Sequence, residues 1–362
     1  MNVPLSNSSR LDPPGSGDLE SRSNYQHTHK LPSPFYQDLD VAKDPPKKMI
    51  EILIIGAGPS GLCAAKTFLQ HDNEANILIV DAGSTVGGIW ATDRLYPTLK
   101  TNNVFSTVDF SDFPMDAKRF DMRPGEHIPG ETMHAYYHAY AAHFQLLDKI
   151  RLNTRVREIR RREADGDENN KYGGWEVEVD DGEVLRCKKL VVATGVQTNP
   201  HKPRIEGAGD FRGPFIHSAS LGNESENLIN NPDIRTITVI GGSKSAYDAV
   251  YLAASTGHEA EWIIRRSGRG PVWVIPPYTM MGPFRALRER LITRRIVSLM
   301  SPWSFPDYSG FGWLRRFLHF SRLGQAIAQK FWGKLHASGL RDCRFREDEK
   351  FADLEPEQNP FW

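Results

Sequence analysis

The sequence predicts an α/β protein that uses one nucleotide-binding plan twice, and three observations predict it. A run of branched apolar residues, Ile52-Leu53-Ile54-Ile55, leads without a spacer into Gly56-Ala57-Gly58-Pro59-Ser60-Gly61, and a helical apolar spacing follows from Leu62 to Leu69. A second apolar strand, Ile77 to Val80, ends in Asp81, twenty residues past Gly61. The same strand, glycine turn and helix return at Ile237-Thr238-Val239-Ile240-Gly241-Gly242-Ser243-Lys244-Ser245-Ala246. Strand, glycine turn, helix and second strand in that order define a Rossmann-like dinucleotide-binding fold, and here there are two, the first closed by an acid.

Each residue of the first turn has a physical task. Gly56 allows the tight turn, Gly58 lets a pyrophosphate approach the backbone, and Gly61 lets helix and strand pack closely. Pro59 and Ser60 open the helix, whose N-terminal N–H groups and dipole favour phosphate. Asp81 is placed to accept hydrogen bonds from a ribose 2′-OH. The second unit closes differently: its strand Glu261-Trp262-Ile263-Ile264 runs into Arg265 and Arg266. A carboxylate there would repel a 2′-phosphate, whereas a guanidinium binds it through a planar fork. This end therefore favours NADPH over NADH, against the competing reading of a solvated basic strand end. Ser243 occupies the middle glycine position and turns a side chain toward the pyrophosphate approach. Either NADPH takes a shifted pose or the charge of Lys244 compensates; Ser243, Lys244, Ser245, Arg265 and Arg266 are the residues expected to hold it.

The 362 residues suffice for two domains. Lys plus Arg and Asp plus Glu are 45 each, so the charge balance indicates no nucleic-acid partner. Cys63, Cys187 and Cys343 form no CxxC, which argues against a zinc site, a disulfide framework and a dithiol redox centre. No metal is expected. No stretch approaches the ~20 apolar residues of a membrane-spanning helix, and the first residues lack the character of a signal peptide. A cytoplasmic location follows as the expectation.

Along the chain, residues 1–48 are rich in Ser, Pro, Asn and charge and read as a disordered leader. Residues 49–210 form the first nucleotide domain. Within it, 131–147 reads as a helix whose Met133, Tyr136, Tyr137, Tyr140 and Phe144 pack as core. Residues 151–187 switch to period two, with Asp181-Gly182 as a hairpin turn, and read as an inserted β-meander. Leu190-Val191-Val192 is expected as a further buried strand ending at the turn Ala193-Thr194-Gly195. Residues 211–275 form the second nucleotide domain, and 276–362 a basic, aromatic helical insert. Over 284–346, thirteen Lys and Arg against three Asp and Glu leave a net charge of +10, with eleven aromatics interleaved. That insert reads as a helical subdomain with its own aromatic core. An anionic membrane surface, giving peripheral membrane contact, and a lid over a substrate channel are the competing readings.

Two nucleotide folds, one closed by an acid and one by arginines, suggest electron flow from NADPH to a bound flavin. At this point the chain resembles the flavin-containing monooxygenases, the class that also holds the Baeyer–Villiger enzymes, over roughly residues 50 to 350. Within that class it looks most like oxygenases of microbial secondary metabolism. Gly56 to Gly61 with Asp81 matches the FAD fingerprint, although Glu is commoner at the acid position. Gly87-Gly88-Ile89-Trp90 resembles the GGxW segment beside the flavin, so Gly88 and Trp90 join the cofactor set. Thr101-Asn102 matches the pair whose Asn hydrogen-bonds near the flavin's oxygen adduct. Phe110-Ser111-Asp112-Phe113-Pro114-Met115 matches the family's run residue for residue, and Ala193-Thr194-Gly195 its hinge turn. Phe211 to His217 matches FxGxxxH, with Leu221 where an aromatic is usual four residues beyond His217.

The resemblance implies hydride transfer from NADPH to FAD and addition of O2 as a C4a-(hydro)peroxyflavin. One oxygen atom then passes to a small organic substrate, by N/S-oxygenation or by Baeyer–Villiger chemistry. Asn102 is the expected catalytic residue. The resemblance further implies strands beyond the second fold's two, so the chain is expected to be C-terminally truncated. The alternative is a truncated, catalytically impaired flavin-binding relative with a non-enzymatic or vestigial role. An FAD-dependent disulfide reductase shares the plan but needs the dithiol that this chain lacks. Substrate identity and oligomeric state stay open.

Overall fold

A computed structural model describes residues 49–164, 173–196, 199–265, 277–281, 283–287, 299–301, 312–347, 349–352 and 354–355. The expected leader and Arg266 lie outside the described residues. In chain order the strands are β1 (Ile50–Ile55), β2 (Ile77–Val80), β3 (Lys100–Val104), β4 (His127–Pro129), β5 (Ile150–Arg151), β6 (Val156–Arg162), β7 (Gly174–Val179), β8 (Val184–Val192), β9 (Thr236–Ile240), β10 (Glu259–Ile263), β11 (Tyr278–Met281) and β12 (Phe284–Leu287). The principal helices are α1 (Pro59–His71), α2 (Gly130–His143), α3 (Leu221–Ile229), α4 (Lys244–Ser255), α5 (Gly312–Phe320) and α6 (Arg322–Cys343). The chain divides into two compact units. One holds the described residues up to Ala91 and those of 137–199; the other holds 92–136 and those from Pro200 onward. Residues 92–136, which sequence order puts inside the first nucleotide domain, thus cluster with the second.

The first unit is a six-stranded sheet in the order β5-β2-β1-β8-β7-β6. Its centre is parallel: Ile52 pairs with Ile77 of β2 on one side and with Lys189 of β8 on the other. β1 and β2 are branched apolar runs because their side chains point into the core, where Leu53, Ile54, Ile79 and Val80 are all fully buried. On one side of the sheet Leu53, Val80, Val177, Leu185 and Cys187 form a continuous cluster, in which each fully buried aliphatic contributes about 1.5–3 kcal/mol. Burial also raises the Cys187 thiol to about 11, so it behaves as a core side chain and a poor nucleophile.

Residues Leu190–Val192 do not form a separate strand. They are the second half of β8, whose first half (from Val184) pairs antiparallel with β7 and whose residues from Cys187 to Val192 pair parallel with β1. No turn-forming residue stands between Cys187 and Leu190, so the meander passes straight into the parallel sheet. Val192 is 61% exposed, which corrects the expectation of a buried strand. Ile150 and Arg151 likewise extend the parallel portion, pairing with β2, so the meander proper is β6-β7-β8. The arginines of β6 meet acids within the strand and across it: Arg160 pairs with Glu158 on β6 itself and lies 3.7 Å from Glu178 of β7, and Arg162 is 3.6 Å from Glu176 of β7. The exposed Arg160 pairs contribute little stability, and the charge along β6 disfavours pairing of this edge strand with another chain.

Helix α2 is shorter than the expected 131–147 span. It stops at His143 because Gln145 turns to φ +54 and the Leu146 N–H reaches back to the Ala141 carbonyl at 2.8 Å. Its aromatic stripe is core, as the sequence indicates: Met133, Tyr136, Tyr137 and Tyr140 are buried, and the Phe144 ring lies 4.7 Å from that of Tyr140.

In the second unit, β9 and β10 pair in parallel and α4 packs against both. β3 pairs antiparallel with β4, and β11 with β12. The β11–β12 hairpin corrects the expectation that the chain from 276 on is helical throughout; Thr279 and Ala286 face each other in a period-two pattern. Helices α5 and α6 are joined at Ser321, whose hydroxyl accepts the Gly324 N–H at 3.0 Å. Few of the described basic and aromatic side chains here are buried: Trp313, Phe317 and Phe320 are exposed, against the expected aromatic core, and two others serve the fold. Arg315 is buried and donates to the Ser301 carbonyl at 2.9 Å, and the Trp332 indole donates to Met300 at 2.8 Å.

The run Phe110 to Met115 also has a structural explanation. It forms a tight bridge between Phe110 and Phe113, and the buried Tyr136 hydroxyl accepts the Phe110 N–H and donates to the Phe113 carbonyl, each at 2.7 Å. Replacing Tyr136 with Phe removes one hydroxyl that serves two backbone groups. The expected loss is about 1–3 kcal/mol, read as a lower urea midpoint with unchanged slope.

Candidate dinucleotide-binding sites

The first glycine turn sits where β1, β2 and β8 end side by side. The Gly56 N–H donates to Val80 and the Ala193 N–H to Ile55, both at 2.8 Å. Ligands of open α/β sheets bind beyond this carboxyl edge. The three fingerprint glycines are required for different reasons. Gly56 has φ +112, and a Cβ there would stand 2.4 Å from the Ala193 carbonyl oxygen. A Cβ on Gly61 would come within 1.8 Å of the Gly56 oxygen, so this glycine sets how closely α1 packs on β1. Gly58 has an ordinary extended backbone (φ −78, ψ −177), and a Cβ there would meet only the Gly88 backbone, at 3.4 Å from its Cα and 3.8 Å from its N. Its task is therefore to keep backbone accessible at the start of α1.

Asp81 holds this turn together. Its carboxylate accepts the Ala57 N–H at 2.6 Å through one oxygen and the Gly83 N–H at 2.7 Å through the other. Its own backbone is held by Arg151 and Thr154 at 3.0 and 2.8 Å. Each carboxylate oxygen keeps a further lone pair for a ribose hydroxyl. Gly87 was not among the residues singled out from sequence, yet it ties the GGxW loop to the fingerprint: its N–H donates to Ala57 at 3.0 Å and its φ is +115. The glycine doublet was the available signal. Gly88 lies against Gly58 and Trp90 is half-buried, while Thr194 and Gly195 are exposed at the end of β8. Pro59 is the first residue of α1, and no acid stands in that first turn to oppose an anion. Close-packed glycine backbones, a free positive helix end and a braced carboxylate fit a dinucleotide such as FAD.

The second turn belongs to the other unit. Gly241 has φ +143, and its carbonyl accepts the Trp262 indole N–H at 2.6 Å. Ser243 is the N-cap of α4 with an extended backbone and an exposed side chain, and Ser245 is half-buried within the first turn. No acid occupies that turn. The Lys244 ammonium is engaged within the fold, at 2.7 and 2.5 Å from the two Asp248 carboxylate oxygens and 2.7 Å from the Lys100 carbonyl. Arg265 is exposed just past β10. These residues fit a second dinucleotide at the helix N-terminus, with Lys244 directed along the helix.

In this same unit, Thr101 and Asn102 lie on β3. Thr101 is buried; its hydroxyl donates to the Asn103 carbonyl at 2.5 Å and accepts the Ile128 N–H at 2.9 Å, which binds β3 to β4. Asn102 is half-buried beside it. His217 caps a short turn, its Nδ1 accepting the Ala219 N–H at 3.0 Å. The imidazole therefore carries its proton on Nε2 when neutral. Leu221, where the family pattern has an aromatic, is buried at the start of α3. Among the described residues no three His, Cys, Asp or Glu side chains gather as a metal site.

A family model described as pyridine nucleotide-disulphide oxidoreductase matches residues 53–281, more than half of the sequence, and the chain belongs to that family. An FAD-dependent monooxygenase of Pyrenophora dematioidea is 39% identical over 293 residues, covering 78% of this chain and 52% of its own length. The FAD-dependent monooxygenase rstn6 of Aspergillus nomiae is 38% identical over 316 residues, covering 85% and 53%. The chain thus spans about half the length of the curated relatives it matches. Among solved structures, the polycyclic ketone monooxygenase of the thermophilic fungus Thermothelomyces thermophila aligns with TM-score 0.55 and 20% identity over 90% of this chain and 58% of that one. An oxidized steroid monooxygenase bound to NADP aligns with TM-score 0.53 and 18% identity over 86% and 60%. These structures establish the α/β fold, and the curated relatives bear out the resemblance to flavin-containing monooxygenases.

The geometry separates the fingerprint glycines experimentally. Gly58→Ala leaves the melting temperature near that of the unsubstituted chain but weakens FAD binding at least about tenfold, because the methyl narrows the phosphate approach. Gly61→Ala costs on the order of 1–3 kcal/mol or more by overpacking, and melting shows it without added flavin. Asp81→Ala lowers both stability and flavin retention, since two N–H groups lose their acceptor. Thermal melts and flavin content after gel filtration distinguish the three.

Proposed function

We propose that this chain is an FAD-dependent, NADPH-using monooxygenase acting on a small organic molecule with O2. The observation that carries the reading is a pair of glycine turns, each opening at a helix N-terminus free of acid, the first braced by Asp81 and the second followed by Arg265. FAD and NADPH, when bound, would supply hydride transfer and O2 activation. The protein's share is to bind, orient and exclude water. In this reading Gly56, Gly58, Pro59, Ser60 and Gly61 accept the FAD pyrophosphate at the start of α1. Asp81 takes the ribose hydroxyl, and Gly88, Trp90, Ala193, Thr194 and Gly195 border the same cofactor. Gly241, Ser243 and Ser245 serve NADPH, Lys244 supports that turn through Asp248, Arg265 and Arg266 take the 2′-phosphate and His217 holds the linker. Thr101 fixes β3 so that the Asn102 amide can hydrogen-bond the flavin, and Asn102 is the catalytic residue we assign. The named activities of the fungal relatives support this reading.

The substrate is a small organic compound of the kind handled in secondary metabolism, and N/S-oxygenation and Baeyer–Villiger insertion are told apart by product analysis. We place the protein in the cytoplasm. No helix among the described residues is long and apolar enough to cross a membrane. A second reading is a flavin-binding relative with impaired catalysis.

The purified chain should carry a flavin spectrum and consume NADPH under air with less than stoichiometric peroxide once a substrate is found. No bound FAD, or conversion of all NADPH to peroxide with every substrate tried, rejects the monooxygenase reading. Arg265→Ala combined with Arg266→Ala should raise the KM for NADPH on the order of tenfold and leave that for NADH unchanged. Equal effects on both would reject the 2′-phosphate assignment.

A further inference from the structure

A partly buried polar cluster in the second unit joins segments far apart in sequence. The Tyr96 hydroxyl donates to Asp248 Oδ2 at 2.7 Å. Lys244 Nζ holds both oxygens of the same carboxylate and also donates to the Lys100 carbonyl at 2.7 Å. The Asp248 side chain is only 14% exposed and that of Lys244 29%, so the ion pair is shielded from full solvent screening. Burial, then the Asp248 charge, push the Tyr96 phenol well above its usual range, so Tyr96 is a neutral donor at any working pH.

The segment pinned at both ends is strained. Between Tyr96 and Lys100, Thr98 has φ +71 and a buried hydroxyl without a partner. A β-branched residue in that region costs about 1–3 kcal/mol and persists only where its surroundings over-determine it. Here they do: Tyr96 is tied to Asp248, the Lys100 carbonyl to Lys244, and the Leu99 carbonyl accepts the Gly130 N–H at 2.8 Å. Two residues past Lys100 stands Asn102. One helical turn before Asp248 stands the second glycine turn. One carboxylate therefore sets the position of both.

We propose that Tyr96, Lys244 and Asp248 are positioning residues that lock the backbone entering β3 to the first turn of α4, so that Asn102 and the second dinucleotide turn keep one mutual geometry. The proposal rests on the reading of Asn102 as the flavin-facing amide and of the turn at Gly241 as the NADPH site. Nothing in it requires Tyr96 or Asp248 to touch either cofactor. Loosening the clamp should misplace the Asn102 amide while both dinucleotides still bind, which diverts reducing equivalents to peroxide.

The test uses Tyr96→Phe and Asp248→Asn in the full chain, with two readouts. Hydrogen–deuterium exchange without added FAD or NADPH should accelerate at least about tenfold over residues 98–104 in both variants, while β9 and the last turn of α4 exchange as before. With FAD and NADPH added, NADPH oxidation by Tyr96→Phe should stay within about twofold of the unsubstituted chain. The fraction of NADPH recovered as peroxide should rise several-fold. Unchanged exchange at 98–104 overturns the clamp. Equal acceleration across the whole unit with a lower melting temperature reduces it to general stability and overturns the positioning role. Local acceleration with an unchanged peroxide fraction overturns the link to Asn102. Failure of the unsubstituted chain to bind FAD or oxidise NADPH rejects the functional reading itself, and the exchange data then judge the clamp alone.

Discussion

The first unit depends on one carboxylate. Asp81 closes β2 and accepts N–H groups from the turn after β1 and from its own loop, while its backbone is held by Arg151 at the end of β5 and by Thr154 just after it. Backbone donors at a ligand-binding edge must find acceptors or remain in water, and an ionised acceptor makes hydrogen bonds roughly twice as strong as a neutral one. With Ala57 and Gly83 held this way, the start of α1 stays fixed and its N–H groups stay available. The residue that sequence marks for a ribose is thus also the brace of the turn that would receive the phosphates. The two tasks are compatible because each carboxylate oxygen has lone pairs for both.

The second unit reaches similar rigidity by other means. Trp262 caps the Gly241 carbonyl and packs edge-on against Tyr247, with ring centroids 4.7 Å apart. Asp248 gathers Tyr96 and Lys244 one turn into α4. In the first unit the acid lies at a strand end and acts on the turn directly. In the second it lies on the helix and acts on the segment that leads into β3, which is one of the ties between residues 92–136 and a fold that follows them by a hundred residues in the chain.

The parts of this architecture legible in the sequence are those set by short-range rules. β1, the glycine turn, α1 and β2 follow from branched apolar runs, fixed glycine offsets and helical periodicity, and the structure has them where those rules put them. The α2 aromatics were legible as core for the same reason. The end of α2 was not, because Gln145 adopts a left-handed conformation that glycine or asparagine usually signals. The continuity of β8 was hidden because a strand serving an antiparallel neighbour and a parallel one has no single hydrophobic period. From sequence Lys244 is legible only as a charge beside the turn, because nothing local reveals Asp248 and the Lys100 carbonyl as its partners. The latter lies 144 residues away. The Phe110–Met115 run was recognised as a pattern, but its anchor, Tyr136, becomes evident only when the chain is folded.

The double allegiance of β8 also bears on how the chain comes off the ribosome. β1 is among the first described segments synthesised, yet one of its two ladders is made with residues from Cys187 to Val192. Until those residues emerge, an apolar strand buried on both faces in the final fold has only β2 beside it, and its other edge is open to wrong partners. The hairpins of β6, β7 and β8 close locally and can form as soon as they appear, whereas the parallel pairing must wait for a long loop to close. Synthesis therefore passes through a window of about ten seconds or more, at ordinary elongation rates, in which the apolar β1 edge needs shelter. Expression at reduced temperature or with holdase chaperones would lessen the losses that arise in that window.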